Sequence, residues 1–535
     1  MGQAPAVRAT PHFSRFRQLA GAAGILMASF VASRLLGLVR NAVLASYFGA
    51  SPEYEAYVAA IAVPDTVFQI LAGGVMGAAF IPVFTRYLAR EDESAAWRLT
   101  SSAVNVAALL TATLAVVLFI FAQPVMSVVV HGRSAEFQGL ATNLVRIMLV
   151  SPVLFAISGF ATSVLNSFQR FFYPALAPLM YNFGIILGAV LLHERYGIYG
   201  VAIGVAAGAV GHLLIQVPGL WQVGARYWPV LDWREAGVRE VGRLMVPRMF
   251  GLGVAQANQL LNIFLASFLV AGSLAYLNYA WLVLMVPLGV CAMAVSTAVF
   301  PTLARHSAAE ERGEMRELFG LTLRMILFLA VPAMVGLVTL GRPIIELLFE
   351  RDLFTPAVTS AVLIALTCYA LGLPGHSLVE IVDRAYYALH DTMTPVKAAA
   401  LAVGINLVVS AAVVVLALRG ALPWEHAYAG LAIANSLAAW VEAVLLVVWL
   451  RGSLGGPDLR SVGLALLRYL AAALIMGALV VLLGDALEPL VDTSRLGGRL
   501  LVLSTQILGG LVAYLVVSHG LGSREPRLLL SLLRR

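Results

Sequence analysis

The stretch Ala79-Phe80-Ile81-Pro82-Val83-Phe84-Thr85-Arg86 returns further along the chain as Ala298-Val299-Phe300-Pro301-Thr302-Leu303-Ala304-Arg305. Each copy closes a long apolar run and is followed by an acidic stretch, Glu91-Asp92-Glu93 in one case and Glu310-Glu311 in the other. The two prolines stand 219 positions apart (301 − 82). A second pair, Gln169-Arg170-Phe171-Phe172-Tyr173-Pro174 and His390-Asp391-Thr392-Met393-Thr394-Pro395, keeps nearly the same offset, 221 (395 − 174). Two matches at nearly one spacing point to an internal duplication.

The runs between these landmarks set the class. Of 535 residues, 61% are hydrophobic and 12% charged, against roughly 45–50% and about 25% in a soluble domain. With a mean hydropathy of +0.90, the apolar surface exceeds what a water-soluble core of this size hides, so most of it faces lipid. A cytosolic enzyme, a secreted protein and a disordered chain are excluded. A spanning helix takes about 20 mostly apolar residues, and such runs fall near 19–46, 55–84, 99–122, 140–165, 174–193, 198–222, 244–270, 275–303, 321–349, 357–382, 396–418, 427–450, 463–483 and 497–519. The expected fold is an all-α polytopic membrane protein of about fourteen transmembrane helices. It divides into a first six-helix lobe (1–222), a cytoplasmic linker (223–243), a second six-helix lobe (244–450) and two C-terminal helices (451–535). An even number of spans per copy makes this a parallel, pseudo-symmetric repeat. The basic N-terminus, Arg8, Arg15 and Arg17 before an apolar run from Leu19, imitates a signal peptide. The run continues through Ser33-Arg34, so a first spanning helix is expected instead of a cleaved leader.

Charge orients the chain. The formal net charge is +7, and Lys397 is the single lysine. With the N-terminus inside, the inner connections hold 23 Lys and Arg and the outer ones 7. That bias places both termini in the cytoplasm. In a chain of this class the basic excess reads as topology, so no nucleic-acid partner is expected. No connection is long enough for a folded extramembrane domain, and function is therefore expected within the bilayer.

Charged and polar residues inside spans need a reason, since each charge costs about 2.5–3.5 kcal/mol at the bilayer centre on insertion scales. Ser33-Arg34-x-x-Gly37-x-x-Arg40-Asn41 puts two arginines about 120° apart around one helix. They either wall a water-filled, anion-binding cleft or bind carbonyls and snorkel. Gln256, Gln259 and Asn262 form a stripe on the seventh span, which also carries Arg248 and Asn258. That stripe either lines the cleft against the first lobe or bonds a neighbouring helix. Glu55 and Asp65 in the second span, with Arg248, are the candidate charge partners. Arg146, Glu442, Glu380, Asp383 and Arg384 read as structural, cavity or interfacial groups, and His212 and His376 as packing residues or proton relays. Cys291 and Cys368 sit in apolar runs, so neither a disulfide framework nor a metal site follows. No nucleotide loop, catalytic triad or zinc motif is present. No cofactor and no catalysis are expected.

Ser33-Arg-Leu-Leu-Gly-Leu-Val-Arg40, with Phe48-Gly-Ala50 and Ala79-Phe-Ile-Pro82, resembles the MurJ (MviN) family of the multidrug/oligosaccharidyl-lipid/polysaccharide exporter superfamily. The likeness extends through Asn166-Ser-Phe-Gln-Arg170, Pro174-Ala-Leu-Ala-Pro178, Ala266-Ser-Phe-Leu269 and Arg384-Ala-Tyr-Tyr-Ala-Leu-His-Asp391, and so covers nearly the whole chain. It implies a flippase that carries lipid II, a polyprenyl-diphosphate-linked peptidoglycan precursor, from the cytoplasmic to the periplasmic leaflet of the bacterial inner membrane by alternating access. The expected substrate-binding set, read from the intramembrane polar residues above, is Arg34, Arg40, Ser33, Asn41, Gln256, Gln259 and Asn262. Its partners are an anionic lipid-linked glycan, membrane lipids and the cell-wall synthesis machinery. The chain departs from the family where paired second-span arginines are replaced by Phe68 and Gln69, an Asn by Asp65, a Glu-Gly by Gly73-Gly74, an Asp by Asn41 and another by Glu55. In span eight, Ala280-Trp-Leu-Val-Leu-Met285 lacks the family's Arg and Glu. A less cationic cavity is expected. Rival readings are a flippase for another polyprenyl-diphosphate glycan, a cation-coupled antiporter, a lipid-linked glycan polymerase and a division-machinery scaffold.

Overall fold

The computed structural model describes residues 29, 32–71, 75–90, 92–454, 459–493 and 495–527, and among these every regular element is helical. The first half runs through α1 (32–48), α2 (Pro52–Leu71), α3 (Val75–Ala89), α4 (Glu93–Ile120), α5 (Ala122–Val129), α6 (Ala135–Met148), α7 (Val150–Ser167), α8 (Phe172–Tyr196), α9 (Ile198–Leu214) and α10 (Val217–Gln222). The second half continues with α11 (Ala236–Ser267), α12 (Ser273–Leu288), α13 (Ala294–Ala308), α14 (Arg312–Leu348), α15 (Pro356–Ala370), α16 (Leu373–Ala388), α17 (Met393–Leu418) and α18 (Ala427–Leu454). It ends in α19 (Leu459–Leu487) and α20 (Leu496–Gly520).

Among the described residues ten helices are long and apolar enough to cross a membrane, and two bent pairs, one within Ala236–Ser267 and one made of α15 and α16, raise this to twelve. Each of the predicted spans from 99 onward falls on one of these twelve. The first predicted span meets α1 and the second meets α2 with α3. Residues 19–28 and 72–74 of those two spans, Gly73-Gly74 among them, lie outside the described residues. The 45° bend between α15 and α16 falls at Leu371-Gly372, just ahead of Pro374. A proline has no N–H to continue the ladder, which suits the start of a new helix segment.

The duplication is written into the helix boundaries. α3 and α13 each span 15 residues and begin at positions 75 and 294, an offset of 219; α4 and α14 keep the same offset. α2 and α12, and α8 and α17, are offset by 221. Backbone conformation repeats with them. Gln169 and His390 both take positive φ, 58° and 61°, and Gly49 and Gly272, and Gly197 and Gly420, are left-handed pairs at an offset of 223. A positive φ is uncommon outside glycine, so its return at Gln169 and His390 marks one turn design used twice.

Two compact units emerge. Among the described residues, the first takes those within 1–47, 59–128 and 134–256 and the second those within 48–58, 129–133 and 257–535. The chain passes from one unit to the other within α11, after Gln256. The 223–243 connection folds onto α4 of its own unit: Ser102 Oγ accepts from Asp232 N at 2.8 Å, and Asn105 Nδ2 donates to Val230 O at 2.9 Å. The first unit's core stacks Phe80, Phe84, Trp97 and Phe160, with Phe80 edge-on to Phe160 at 5.1 Å. Its α8 and α9 meet through glycines: a Cβ on Gly188 would lie 2.7 Å from Gly204 Cα. In the second unit α19 and α20 pack on α14, where Tyr514 donates to Phe328 O at 2.9 Å inside a core shared with Phe319, Tyr386 and Tyr469.

Candidate functional site

Helix α1 buries Asn41, Leu44, Ala45 and Phe48, a stripe at the i, i+3, i+4, i+7 spacing of one helical face. Arg40 lies beside that stripe, half-buried, and holds Asn41 Oδ1 with Nε at 3.2 Å and Nη2 at 3.1 Å. Its guanidinium also acts on the Asp65 carboxylate of α2. Arg40, Asn41 and Asp65 thus form one polar cluster. A turn and a half earlier Arg34 is exposed and Ser33 half-buried, while Gly37 faces Asn182 of α8, whose Oδ1 would be 3.8 Å from a Cβ there. Asn182 in turn donates to Pro178 O at 2.9 Å. Four polar residues of α1 therefore line one stretch of helix, Arg34 exposed and Arg40 half-buried beside Asn41.

The neighbouring position 68 is aromatic in environment as well as identity. Phe68 packs on Phe155 at 4.8 Å, and Phe155 meets Tyr181 and His212, each at 5.1 Å. Gln69 beside it is exposed. His212 sits in a hydrogen-bonded set with Ser158 at 2.7 Å, and Gln216 donates to the same Ser158 Oγ at 2.6 Å and accepts from Thr162 at 2.9 Å. His376 likewise contacts Asn435 at 3.1 Å.

On α11 the polar stripe divides. Gln259 is exposed and Gln256 half-buried. Asn262 is engaged across helices: the buried Asn406 of α17 donates from Nδ2 to Asn258 Oδ1 at 2.9 Å and to Asn262 Oδ1 at 3.0 Å. Ser410 closes the set at 3.4 Å. Asn406 and Ser410 are residues that the sequence reading missed; they sit four apart on one face of an otherwise apolar helix, which was the available signal. The Arg248 side chain lies outside the described residues.

Glu55 is paired with an arginine of the connection between α5 and α6. It pairs with Arg133, Nη2 lying 3.0 Å from both carboxylate oxygens, and Oε1 also accepts from Leu274 N at 2.8 Å. Arg133 further donates to Leu269 O and Val270 O, each at 3.3 Å. Glu55 is fully buried, so the pair is a buried ion pair stitched to backbone, the arrangement that makes such a pair tolerable. Around it Tyr54 stacks on Tyr279 at 4.9 Å, and Tyr279 donates to Gly49 O at 2.8 Å. Short segments of the first half, 48–58 and 129–133, are thereby built into the second unit.

Carboxylates gather on α16 and α18. Asp383 lies within the field of Glu380, Arg384 and Glu442, and its buried Oδ1 has no hydrogen-bond partner among the described residues. Among those residues no set of three or more His, Cys, Asp or Glu side chains is arranged to hold a metal ion.

The comparisons agree with one another. The family model described as lipid II flippase MurJ matches residues 44–493. A probable lipid II flippase MurJ of Vibrio cholerae is 31% identical over 436 residues, covering 79% of this chain and 81% of that protein. One from Rhizobium meliloti is 31% identical over 529 residues, covering 94% and 93%. Among solved structures, a lipid II flippase MurJ in an inward closed conformation superposes with a TM-score of 0.75 at 27% identity, covering 92% of this chain and 97% of that one. An inward-facing multidrug transporter of the MATE family shares the fold, with a TM-score of 0.64 at 15% identity and coverage of 79% and 94%. The chain belongs to the MurJ family.

Proposed function

We propose that this multi-pass membrane protein translocates lipid II, the lipid-linked peptidoglycan precursor, from the cytoplasmic to the periplasmic leaflet by alternating access. The observation that carries the reading is the family match over 44–493, joined to a duplicated all-helical architecture that superposes on a MurJ structure over 92% of the chain. The activity is transport and needs no chemical step. An anionic head group cannot enter hydrocarbon unaided, and charged groups inside the bilayer mark the path such cargo follows. Arg34 and Arg40, with Ser33 and Asn41, are the groups that take the diphosphate, and the exposed Gln259 and half-buried Gln256 supply neutral polar contacts. Asn262, bonded to Asn406, holds α11 against α17. Asp65 tempers Arg40, so that a fixed cation does not trap its cargo.

Both termini lie in the cytoplasm on the arginine bias, 23 inside against 7 outside. A membrane potential negative inside drives an anion outward at about 2.3 kcal/mol per charge per 100 mV. The functional lobes are 1–222 and 244–450, joined by 223–243 and followed by two accessory helices over 451–535. The cell-wall polymerising machinery is the consumer of the product.

The test is complementation. Expression of this chain in a bacterium depleted of its resident lipid II flippase should restore growth and cell shape. Membrane-inserted protein without rescue would overturn the lipid II assignment. A flippase for another polyprenyl-diphosphate-linked glycan would then be favoured by the aromatic environment at Phe68, where the family carries a cation.

A further inference from the structure

At one end of the second unit, α14, α19 and α20 line a half-open cavity of about 300 Å3. Volumes near this value are the lower range for small-ligand sites. The lining is unlike the apolar helix faces around it: Arg342, Glu346, Asp485, Glu488, Arg499 and the buried Gln506 contribute to it. Its depth depends on Gly484, where a Cβ would collide with the Gln506 amide. That amide is fixed by donation to Val480 O at 3.1 Å.

The charges are only partly used within the protein. Arg342 is anchored through Nε to Glu346 Oε1 at 2.8 Å, and Arg499 through Nε to Thr493 O at 2.9 Å. Among the described residues the Nη atoms of both guanidiniums have no partner, nor do the carboxylates of Asp485 and Glu488. Beside the cavity, Leu482 of α19 and Leu501 of α20 are 64% and 56% exposed. An apolar surface of that kind on a spanning helix faces acyl chains, and a charged cavity at the helix ends lies at head-group depth.

We propose that this cavity is a lipid head-group site, and that its ligand carries a phosphate and a primary ammonium together, as an aminoglycerophospholipid does. Two planar guanidiniums present parallel N–H groups to phosphate oxygens, while Asp485 and Glu488 receive the ammonium. Two guanidiniums stand against three carboxylates, one of them, Glu346, already shared with Arg342, and a zwitterion offers a partner to both signs. A head group bearing the phosphate alone leaves two carboxylates facing an anion, which is discrimination by repulsion as well as attraction. In the orientation proposed above the site opens to the outer leaflet, with the acyl chains running down the α19–α20 face.

The experiment titrates the full-length protein in detergent with phosphatidylethanolamine, phosphatidylglycerol and soluble phosphoethanolamine, and reads retained adducts by native mass spectrometry. Phosphatidylethanolamine should bind at least about tenfold more tightly than phosphatidylglycerol, the effect of one lost charge-assisted contact. Asp485→Asn/Glu488→Gln should erase that preference by weakening the zwitterion alone, and Arg342→Gln/Arg499→Gln should weaken both lipids. Because Arg499 also holds the loop at Thr493, the carboxylate variant, which leaves every described contact in place, is decisive. Equal binding of the two lipids, or a preference unmoved by the carboxylate variant, overturns the proposal. Displacement by soluble phosphoethanolamine as effective as by the lipid overturns the lipid assignment.

Discussion

Arg133 grips Glu55 with one nitrogen, Nη2, placed 3.0 Å from each carboxylate oxygen, 78 residues away in sequence and wholly out of water on the glutamate side. Removing one partner strands the other charge. Arg133→Ala should therefore lower stability by about 3–5 kcal/mol, read as a fall in the thermal midpoint of the detergent-solubilised protein. Replacing both residues with apolar ones of similar size, Glu55→Met/Arg133→Met, should recover most of that loss. A double variant as unstable as the single one would show that the backbone bonds to Leu269, Val270 and Leu274, and not the stranded charge, dominate.

Asp391 organises the first turn of α17 in the connection after α16. Its carboxylate accepts from Thr394 Oγ1 at 2.6 Å and from the Thr394 and Met393 N–H groups at 3.0 Å. These bonds, the Thr394 hydroxyl first, hold its carboxyl below the ordinary value of 3.8. A carboxyl depressed in the folded state adds stability above its ordinary pKa, and that stability is lost as pH falls through the folded one. Hydrogen exchange at Met393 and Thr394 should thus stay protected at pH 5 and rise at the acid end, below the usual carboxylate range. Asp391→Ala should remove that acid dependence and cost about 1 kcal/mol at neutral pH, as loss of a capping side chain does. An exchange profile unchanged by Asp391→Ala would assign the turn's stability to packing alone.

How far these features could be read beforehand follows from what each depends on. Pro82 and Pro301, with Pro174 and Pro395, announced the duplication because a proline restricts backbone locally, and helix boundaries at offsets of 219 and 221 followed. The spans were legible because lipid demands long apolar runs whatever they pack against. Glu55–Arg133 was not, since pairing of distant side chains leaves no periodic trace. Asn406 looked like an isolated polar residue until its amide met Asn258 and Asn262. For Arg34 and Arg40 the angular spacing was computable, but not the contact of Arg40 with Asn41.

Glycines at 184, 188, 200, 204 and 208 recur every four residues where α8 meets α9. Membrane helices that approach this closely gain packing in place of a hydrophobic effect. Gly188→Leu should separate them, since even its Cβ would stand 2.7 Å from Gly204 Cα. The expected loss is on the order of 1–3 kcal/mol or more, the range for overpacking, seen as reduced abundance and a lower thermal midpoint. Gly197→Ala provides a contrast at the connecting turn, where space is open but φ is +54°, and should cost less. Wild-type stability of Gly188→Leu would mean that the two helices separate without penalty.

The orientation is testable at Gly242, which is exposed and has nothing within 4 Å of a Cβ. Gly237, nearer the middle of that region, is unsuitable, because a side chain there would lie 2.7 Å from Leu99 Cδ1 and 3.0 Å from the Tyr87 hydroxyl. In a variant with Cys291 and Cys368 replaced by Ala, Gly242→Cys should react with an impermeant maleimide only after the cells are opened. Labelling of intact cells would reverse the assignment of both termini.

The arginines of α1 should respond differently, because Arg34 is exposed and Arg40 half-buried. Arg34→Ala removes an exposed cation and should abolish transport without lowering membrane abundance. Arg40→Ala also frees Asn41 and leaves Asp65 without its cation, so both transport and abundance should fall. Lysine at position 40 should restore abundance more fully than transport, since it keeps a charge beside Asp65 but lacks the fork that engages Asn41 through Nε and Nη2 and grips two phosphate oxygens. A cation returned to the second span should help at one position and harm at its neighbour. Phe68→Arg would bury a guanidinium among Phe155 and its aromatic neighbours and should destabilise. Gln69→Arg, at an exposed position, should partly restore transport to Arg34→Ala. Full transport by Arg34→Ala/Arg40→Ala would remove diphosphate binding from both residues and leave Arg40 as a clasp for Asn41 and Asp65.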